Sequence, residues 1–337
     1  MSVDGPPPTD EASTLSVELR ERLIPLFGAD IAIERLVLLA GGASKEAWAL
    51  DLRTRQGKRE LLVRRAGGGV IHQGTLTLED EHRLLEIAFA SGVLVAKPYG
   101  YLGEIAGRPA FVSERVSGET IGRRIVQRPD LAGARAVLPA QIAQELAKIH
   151  AIPAERVPFL GGVGARDVLA RLTNEVDRLG DAHPAIELGL DWARRRAPAR
   201  SETVVLHGDL RVGNLAVTAT GLGHVLDWEF GHRGDPAEDV AWPLVRAWRF
   251  GVDQLRLGGI GEVEPYLERY NALTGRHITL ASLDYWEIVG NLKWAIGALT
   301  QSRRHLSGQQ RSVELAVLGR LAAEMEFELL HLLERAG

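Results

Sequence analysis

The stretch Val204-Val-Leu-His207-Gly-Asp209-Leu-Arg-Val-Gly-Asn214-Leu-Ala-Val217 is continued by Thr218–Gly223 and then by His224-Val-Leu-Asp227-Trp-Glu229. Short apolar runs alternate here with polar, glycine-bearing segments, the pattern of strands joined by tight loops. Leu215–Val217 and His224–Leu226 read as two arms of a hairpin, and pairing Val217 with His224 sets Asn214 opposite Asp227. Asp209 lies on the loop that leaves the strand Val204–Leu206, close enough to project into the same space. A carboxylate and a carboxamide on adjacent backbones suit a hard cation such as Mg²⁺, which takes oxygen ligands and keeps waters and substrate phosphates. A separate carboxylate beside them can accept a proton from a hydroxyl. Cation site and base together match the needs of phosphoryl transfer.

Upstream the chain is β-rich. A short amphipathic helix around Leu15–Phe27 precedes a strand at Arg35–Leu39, which breaks at Gly41-Gly42-Ala43-Ser44. A second strand, Glu46–Leu52, points Trp48, Leu50 and Leu52 to one face, and Glu60–Arg65 forms a third. Thr77-Leu-Glu-Asp80 opens a helix to about Ala90. On it Glu81 shares the apolar face of Leu85 and Ala88, so this acid needs a partner. Strands near Tyr99–Leu102 and Ala110–Glu114 complete an antiparallel sheet. From Ala140 the pattern is helical to Ala197, broken at Pro153–Gly164, and helical again after Glu229. The expected class is α+β: two lobes around a cleft, a small antiparallel β-sheet lobe with one helix and a larger, mainly helical lobe. The boundaries expected are a flexible tail over 1–14, a β-rich lobe over 15–115 and a helical lobe over 116–337.

Composition excludes several classes. The 337 residues carry 40 Lys+Arg against 44 Asp+Glu, a net charge of −4 that gives no footprint for nucleic acid or an anionic membrane. With no cysteine, thiolate metal sites, disulfides and a cysteine nucleophile are ruled out. No run is long and apolar enough to span a bilayer, and Met1–Thr14 lacks the basic flank and apolar stretch of a secretory signal. A cytoplasmic protein is expected.

His207-Gly-Asp209, the Asn five residues on, Leu-Asp227-Trp-Glu229 and Gly-Asp235-Pro-x-x-Asp239 together resemble the aminoglycoside phosphotransferase and choline kinase-like family, a branch of the protein-kinase-like fold. The resemblance runs from about Ile31 to near the end of the chain, and is closer to bacterial phosphotransferase-family proteins and to kinase-like domains fused to some acyl-CoA dehydrogenases than to the family at large. It implies ATP or GTP and Mg²⁺ as cofactors, with Asp209 as catalytic base and Asn214 and Asp227 as metal ligands. Glu229 reads equally as an outer metal partner and as a solvated loop acid. His207 would brace the loop, and Asp235 and Asp239 would be structural anchors. Gly41, Gly42, Ala43 and Ser44 match the loop over the nucleotide phosphates, where glycine lets backbone amides approach oxygens. The third strand departs from the family, with Arg64 where the phosphate-gripping lysine stands and Glu81 as its partner; a one-residue slip would give Arg65 that role. Lys45 or Lys58 could substitute, although solvent exposure is the expectation for both lysines. Glu114 and Val116 match the connection whose backbone reads the purine edge.

The partner implied is a small-molecule hydroxyl acceptor, held against the C-terminal helices. Residues 240–337 hold 11 Lys+Arg and 11 Asp+Glu, without the acidic surplus that a polycationic aminoglycoside would call for. Trp242, Trp248, Tyr285, Trp286 and Trp294 lie in that segment, and the helix-spaced Trp286 and Trp294 are expected in the core. Two other function classes share some of these residues: a nucleotide-binding pseudokinase acting as a regulatory module, and a metal-dependent phosphoesterase built from His207, Asp209 and Asp227.

Overall fold

The computed structural model describes residues 10–39, 45–67, 74–199 and 202–337, with side chains from Leu15 onward. Its chain divides into two compact units: one reaches to Ser117 and includes Trp228–Phe230, the other comprises Gly118–Asp227 and Gly231–Gly337.

The first unit runs α1 (Asp10–Phe27), β1 (Ala32–Leu38), β2 (Lys45–Thr54), β3 (Gly57–Ala66), α2 (Leu78–Ala90), β4 (Pro98–Ile105) and β5 (Arg108–Glu114). The strands form one antiparallel sheet in the order β1-β2-β3-β5-β4. Alternation of side chains gives the sheet two faces of different chemistry. Trp48, Leu50 and Leu52 of β2 and Leu61 and Val63 of β3 turn to one face, where Leu15, Leu19 and Leu23 of α1 close a core with them. The helical i, i+4, i+8 spacing of these leucines makes the stripe that covers the sheet. The face expected for Trp48, Leu50 and Leu52 is thus the core face, and the amphipathic helix expected around Leu15–Phe27 is α1, which starts at Asp10 and makes two helices in the unit.

α2 starts at Thr77, whose hydroxyl oxygen accepts the Asp80 amide, with Glu79, Asp80 and Glu81 in its first turn. Both features satisfy or complement the unpaired amides of a helix start. Leu84, Leu85 and Ala88 are buried on its inner face, and Glu81 and His82 are buried beside them.

The second unit begins with α3 (Gly122–Gln127), α4 (Ala132–His150), α5 (Ala165–Leu179) and α6 (Pro184–Arg196), so helix starts well before Ala140. Then come β6 (Val204–Leu206), β7 (Leu215–Thr218), β8 (Gly221–Val225), β9 (His232–Gly234), α7 (Pro236–Ala241), α8 (Val263–Thr274), α9 (Leu280–Leu306) and α10 (Val313–Ala336). β6 pairs with β9 and β7 with β8, both antiparallel. α9 packs against α5, α6, α7 and α10, which explains why apolar residues such as Tyr285, Trp286, Ile288, Leu292 and Ile296 are buried along it. Trp286 lies in the core as expected, whereas Trp294 is only half-buried. Among the described residues no helix is long and apolar enough to cross a membrane.

Candidate active site

β6 delivers the chain into the turn His207-Gly208-Asp209. Gly208 has φ +78, a left-handed conformation that costs glycine little. With the backbone turned this way, the amides of His207 and Gly208 both donate to the Asp239 carboxylate, at 2.7 and 2.9 Å. Asp239 is fully buried on the short helix α7, which Asp235 caps by accepting the Ala237 amide. The His150 Nε2 lies 3.2 Å from the same carboxylate, and its Nδ1 lies 2.6 Å from the Tyr270 hydroxyl. Burial alone would raise the Asp239 pKa, but the His150 hydrogen bond and the His207 donor outweigh it and hold the carboxyl below its ordinary range. Asp239 thus pins the turn from beneath.

His207 is a brace. Its Nδ1 accepts the Asp209 amide at 3.2 Å and its Nε2 donates to the Leu226 carbonyl at 3.0 Å, the pattern of a neutral Nε2–H tautomer. Burial drives its pKa below the ordinary value despite the pull of Asp239, Asp209 and Asp227. A buried neutral imidazole bonded on both nitrogens has no proton-transfer capacity to spare.

Asp209 is buried and aligned by three donors. The Trp242 indole Nε1 donates to Oδ1 at 2.7 Å, Arg211 Nε to the same oxygen at 3.2 Å, and Asn214 Nδ2 to Oδ2 at 2.7 Å. Asn214 Nδ2 also donates to the Asp209 carbonyl. Spending the amide nitrogen this way fixes which end of the carboxamide is oxygen, and that oxygen remains as its acceptor.

The hairpin differs from the register expected. Leu215 pairs with Val225 and Ala216 with His224, after which the pairing shifts so that Val217 meets Leu222. Gly223 is the extra residue of a β-bulge. A Cβ there would lie 3.1 Å from the Ala216 carbonyl oxygen, so the bulge takes glycine. The neighbour of Asn214 is therefore Leu226, whose amide donates to the Asn214 carbonyl at 2.8 Å, and Asp227 falls one residue beyond. Asp227 has φ +62, unusual for a residue with a Cβ and tolerated best by Asp and Asn.

In the first unit the β2–β3 register decides between the two arginines. Ala47 pairs with Arg64 and Glu46 with Arg65, so the arginines occupy opposite faces. Arg65 is buried on the α1 side, bonded to Glu46, whose pKa is held low by the Trp48 and Arg65 hydrogen bonds against the effect of burial. Arg64 turns to the α2 side, with its Nε 3.7 Å from Glu81 Oε1. The same parity brings Lys45 to that side, and its Nζ lies 2.5 Å from Glu81 Oε2 and 2.9 Å from Glu229 Oε2.

Solvent exposure was the expectation for Lys45, and burial between two acids overturns it. Alternation places Lys45 diagonal to Arg64 on one pleated face, and that placement only becomes visible once the pairing is known. Lys58 is half-exposed and paired to Asp51. Glu229 is buried against Lys45, so it is not a solvated acid.

Gly41, Gly42, Ala43 and Ser44 lie outside the described residues. Glu114 ends β5 with its side chain exposed, and its amide is spent on the Lys97 carbonyl at 2.8 Å. Val116 is half-buried.

Near Asp209 an aromatic wall carries two cations. Trp242 lies 5.7 Å from Trp248, which lies 6.3 Å from Trp294. The Arg211 guanidinium sits 4.3 Å over the Trp248 ring and the Lys293 ammonium 4.6 Å over Trp242. The acids nearby are tied to arginines: Glu287 to Arg249 and Arg256, Glu328 to Arg246 and Arg249, Asp253 to Arg246, and Asp284 to Arg256 and Arg335.

The sequence profile described as the phosphotransferase enzyme family matches residues 35–283. The chain belongs to that family. Acyl-CoA dehydrogenase family member 10 of Mus musculus is 25% identical over 294 residues, covering 79% of this chain and 26% of that protein. The chain thus spans about a quarter of that relative's length. Among solved structures, a protein assigned as an aminoglycoside phosphotransferase from Ralstonia eutropha superimposes with a TM-score of 0.75 at 19% identity, covering 95% of this chain and 98% of that one. A mutant of aminoglycoside phosphotransferase APH(4)-Ia, in a ternary complex with AMP-PNP and hygromycin B, gives 0.63 at 16% identity over 94% and 98% of the two chains. The family's kinase-like α+β fold is therefore the fold of this chain, as the motif resemblance implied.

Proposed function

We propose that the chain transfers the terminal phosphoryl group of ATP or GTP, with Mg²⁺, directly to a hydroxyl of a small molecule in the cytoplasm. The observation that carries this reading is Asp209: a buried carboxylate held in one orientation by Trp242, Arg211 and Asn214. Such a group accepts the acceptor's hydroxyl proton without reorganising during the reaction. Asp227 and the Asn214 amide oxygen are the groups that would hold Mg²⁺. One carboxylate and one carboxamide suit a cation that keeps waters and phosphates in its shell, and no ready cage of three His, Cys, Asp or Glu occurs among the described residues. A Mg²⁺ ion held by these two groups would supply charge neutralisation for the phosphoryl group. Lys45 and Arg64, both paired to Glu81, would contact the nucleotide phosphates, with Gly41, Gly42, Ala43 and Ser44 supplying backbone amides. Because the Glu114 amide is engaged by Lys97, the purine edge would be read by the Glu114 carbonyl and the Val116 amide. The nucleotide analogue in the APH(4)-Ia complex supports this cofactor class.

The acceptor we infer is an apolar or anionic alcohol, such as a hydroxylated acid or its thioester. The tryptophan wall with Arg211 and Lys293, and the arginine-bound state of the neighbouring acids, favour it over a polycation. The acyl-CoA dehydrogenase family relative points to the same class.

The test is incubation with Mg²⁺ and labelled ATP or GTP across a library of hydroxyl compounds, with Asp209→Ala as control. Transfer to an acidic or acyl alcohol, lost in Asp209→Ala, is expected. Nucleotide binding with no transfer to any compound would establish a regulatory pseudokinase. Phosphate release only from monoesters would establish a phosphoesterase. Transfer restricted to aminoglycosides would overturn the acceptor class.

A further inference from the structure

Lys45 is only 9% exposed, and its ammonium is shared by two carboxylates from different parts of the first unit, Glu81 of α2 and Glu229 of the segment Trp228–Phe230. Arg64 completes the group on the second oxygen of Glu81. The formal charges of these four residues cancel. A neutral cluster attracts a polyphosphate weakly, and burial makes each unmatched charge costly, so an anion gains from this cluster when one carboxylate gives up its place. We propose that Glu229 is the resting counter-ion of Lys45 and is displaced by the nucleotide phosphates, so that it limits metal-free nucleotide affinity. This rests on the nucleotide-dependent function proposed above.

The two acids are not equivalent. Glu81 is built into a capped helix, and each of its oxygens faces a cation. Glu229 lies in a turn outside any helix or strand. Its carbonyl accepts the Leu76 amide at 2.8 Å, so the backbone is anchored and the displacement proposed is a change of side-chain rotamer. Rotation is cheap relative to unwinding the first turn of α2. Displacement leaves Lys45 paired to Glu81, as Arg64 already is, and turns the cluster net positive for the time that phosphate occupies it. Glu229 therefore acts on the phosphates through Lys45 and is a positioning residue. The alternative role, an outer partner of the metal held by Asp227, predicts the opposite sign.

Calorimetric titration of the full chain with AMP-PNP, GMP-PNP and adenosine, in EDTA and again with Mg²⁺, separates the possibilities. Glu229→Gln keeps the shape and removes the competing charge, and is expected to bind the triphosphate analogue about tenfold more tightly in EDTA, with adenosine binding unchanged. Lys45→Arg keeps most of the wild-type affinity, whereas Lys45→Met loses at least about tenfold for the triphosphate and nothing for adenosine. Lys45→Met leaves two buried acids face to face and can fail to fold; the Glu229→Gln and Lys45→Arg results stand without it, with thermal melts confirming that both are folded. Unchanged or weaker metal-free binding by Glu229→Gln overturns the proposal, and a loss confined to Mg²⁺ assigns Glu229 to the metal instead. If the wild-type chain binds neither analogue under any condition, the nucleotide-dependent function itself fails, a result distinct from any of these.

Discussion

In the first unit Glu81 and Glu229 are held by charge, against Lys45 and Arg64. In the second, Asp209 and Asp239 are held mainly by directed donors: an indole, a carboxamide, an imidazole and two backbone amides, with the Arg211 guanidinium as the one charged side chain added on Asp209. Charge contacts depend weakly on angle, so a lysine can change partners with little penalty. Hydrogen bonds to a buried carboxylate depend steeply on geometry, and three or four of them leave one orientation. Exchange suits a place where a polyanion must enter and leave. Rigidity suits a base that must meet its proton at one point in space.

This contrast can be broken at four places. The largest effect belongs to the base: Asp209→Ala should lower the phosphoryl-transfer rate by about a thousandfold, with a cooperative thermal melt showing that the variant is still folded. Retention of transfer within tenfold would remove Asp209 from its role. Next is the pin beneath the turn. Asp239→Ala leaves two backbone amides and His150 without their acceptor inside the protein, and should cost about 3 kcal/mol in denaturant unfolding. A loss under 1 kcal/mol would mean that the turn holds itself.

Trp242→Phe keeps the ring against Trp248 and deletes one hydrogen bond to a charged oxygen. The turnover number should fall about tenfold with the nucleotide KM unchanged; a change in nucleotide KM alone would place Trp242 outside the alignment of Asp209. The smallest effect is the pH slope from His207. Its folded pKa lies below the ordinary 6.5, so between those values the unfolded chain takes up a proton that the native site refuses. Stability should therefore fall as pH drops below 6.5, by at most about 1.4 kcal/mol per pH unit. His207→Gln should flatten that slope, and an unchanged slope would assign it elsewhere.

Much of this was legible beforehand because it rests on local pattern. Alternation at Trp48, Leu50 and Leu52, the Thr77 cap and the acid at Glu81 on an apolar helix face each follow from a few neighbouring residues. The candidate base and metal residues were marked by their spacing from His207 to Asp239. Lys45 was misplaced because a lysine at the start of a strand is usually solvated, and what buries it comes from residues 81 and 229. The hairpin register differs by one residue at Asn214 because the strands run on to a two-residue turn, Thr218 pairing with Gly221, and the bulge at Gly223 restores only one of the two residues by which that turn moves the pairing. Trp242 gave an aromatic signal without showing that its indole reaches across 33 residues to Asp209.

The amino-acid sequence by itself determined the α+β class, the approximate places of the five strands of the first unit and of the helices α1 and α2, the phosphotransferase motifs and the exclusion of thiol chemistry, since each depends on residue type at short range. Only the tertiary structure decided the partners: which arginine joins Glu81, that Lys45 joins it, that Glu229 turns to Lys45, and which donors aim Asp209. Those pairings join residues far apart in sequence, and they are fixed by strand register and by the cost of burying a charge or a polar group without a partner.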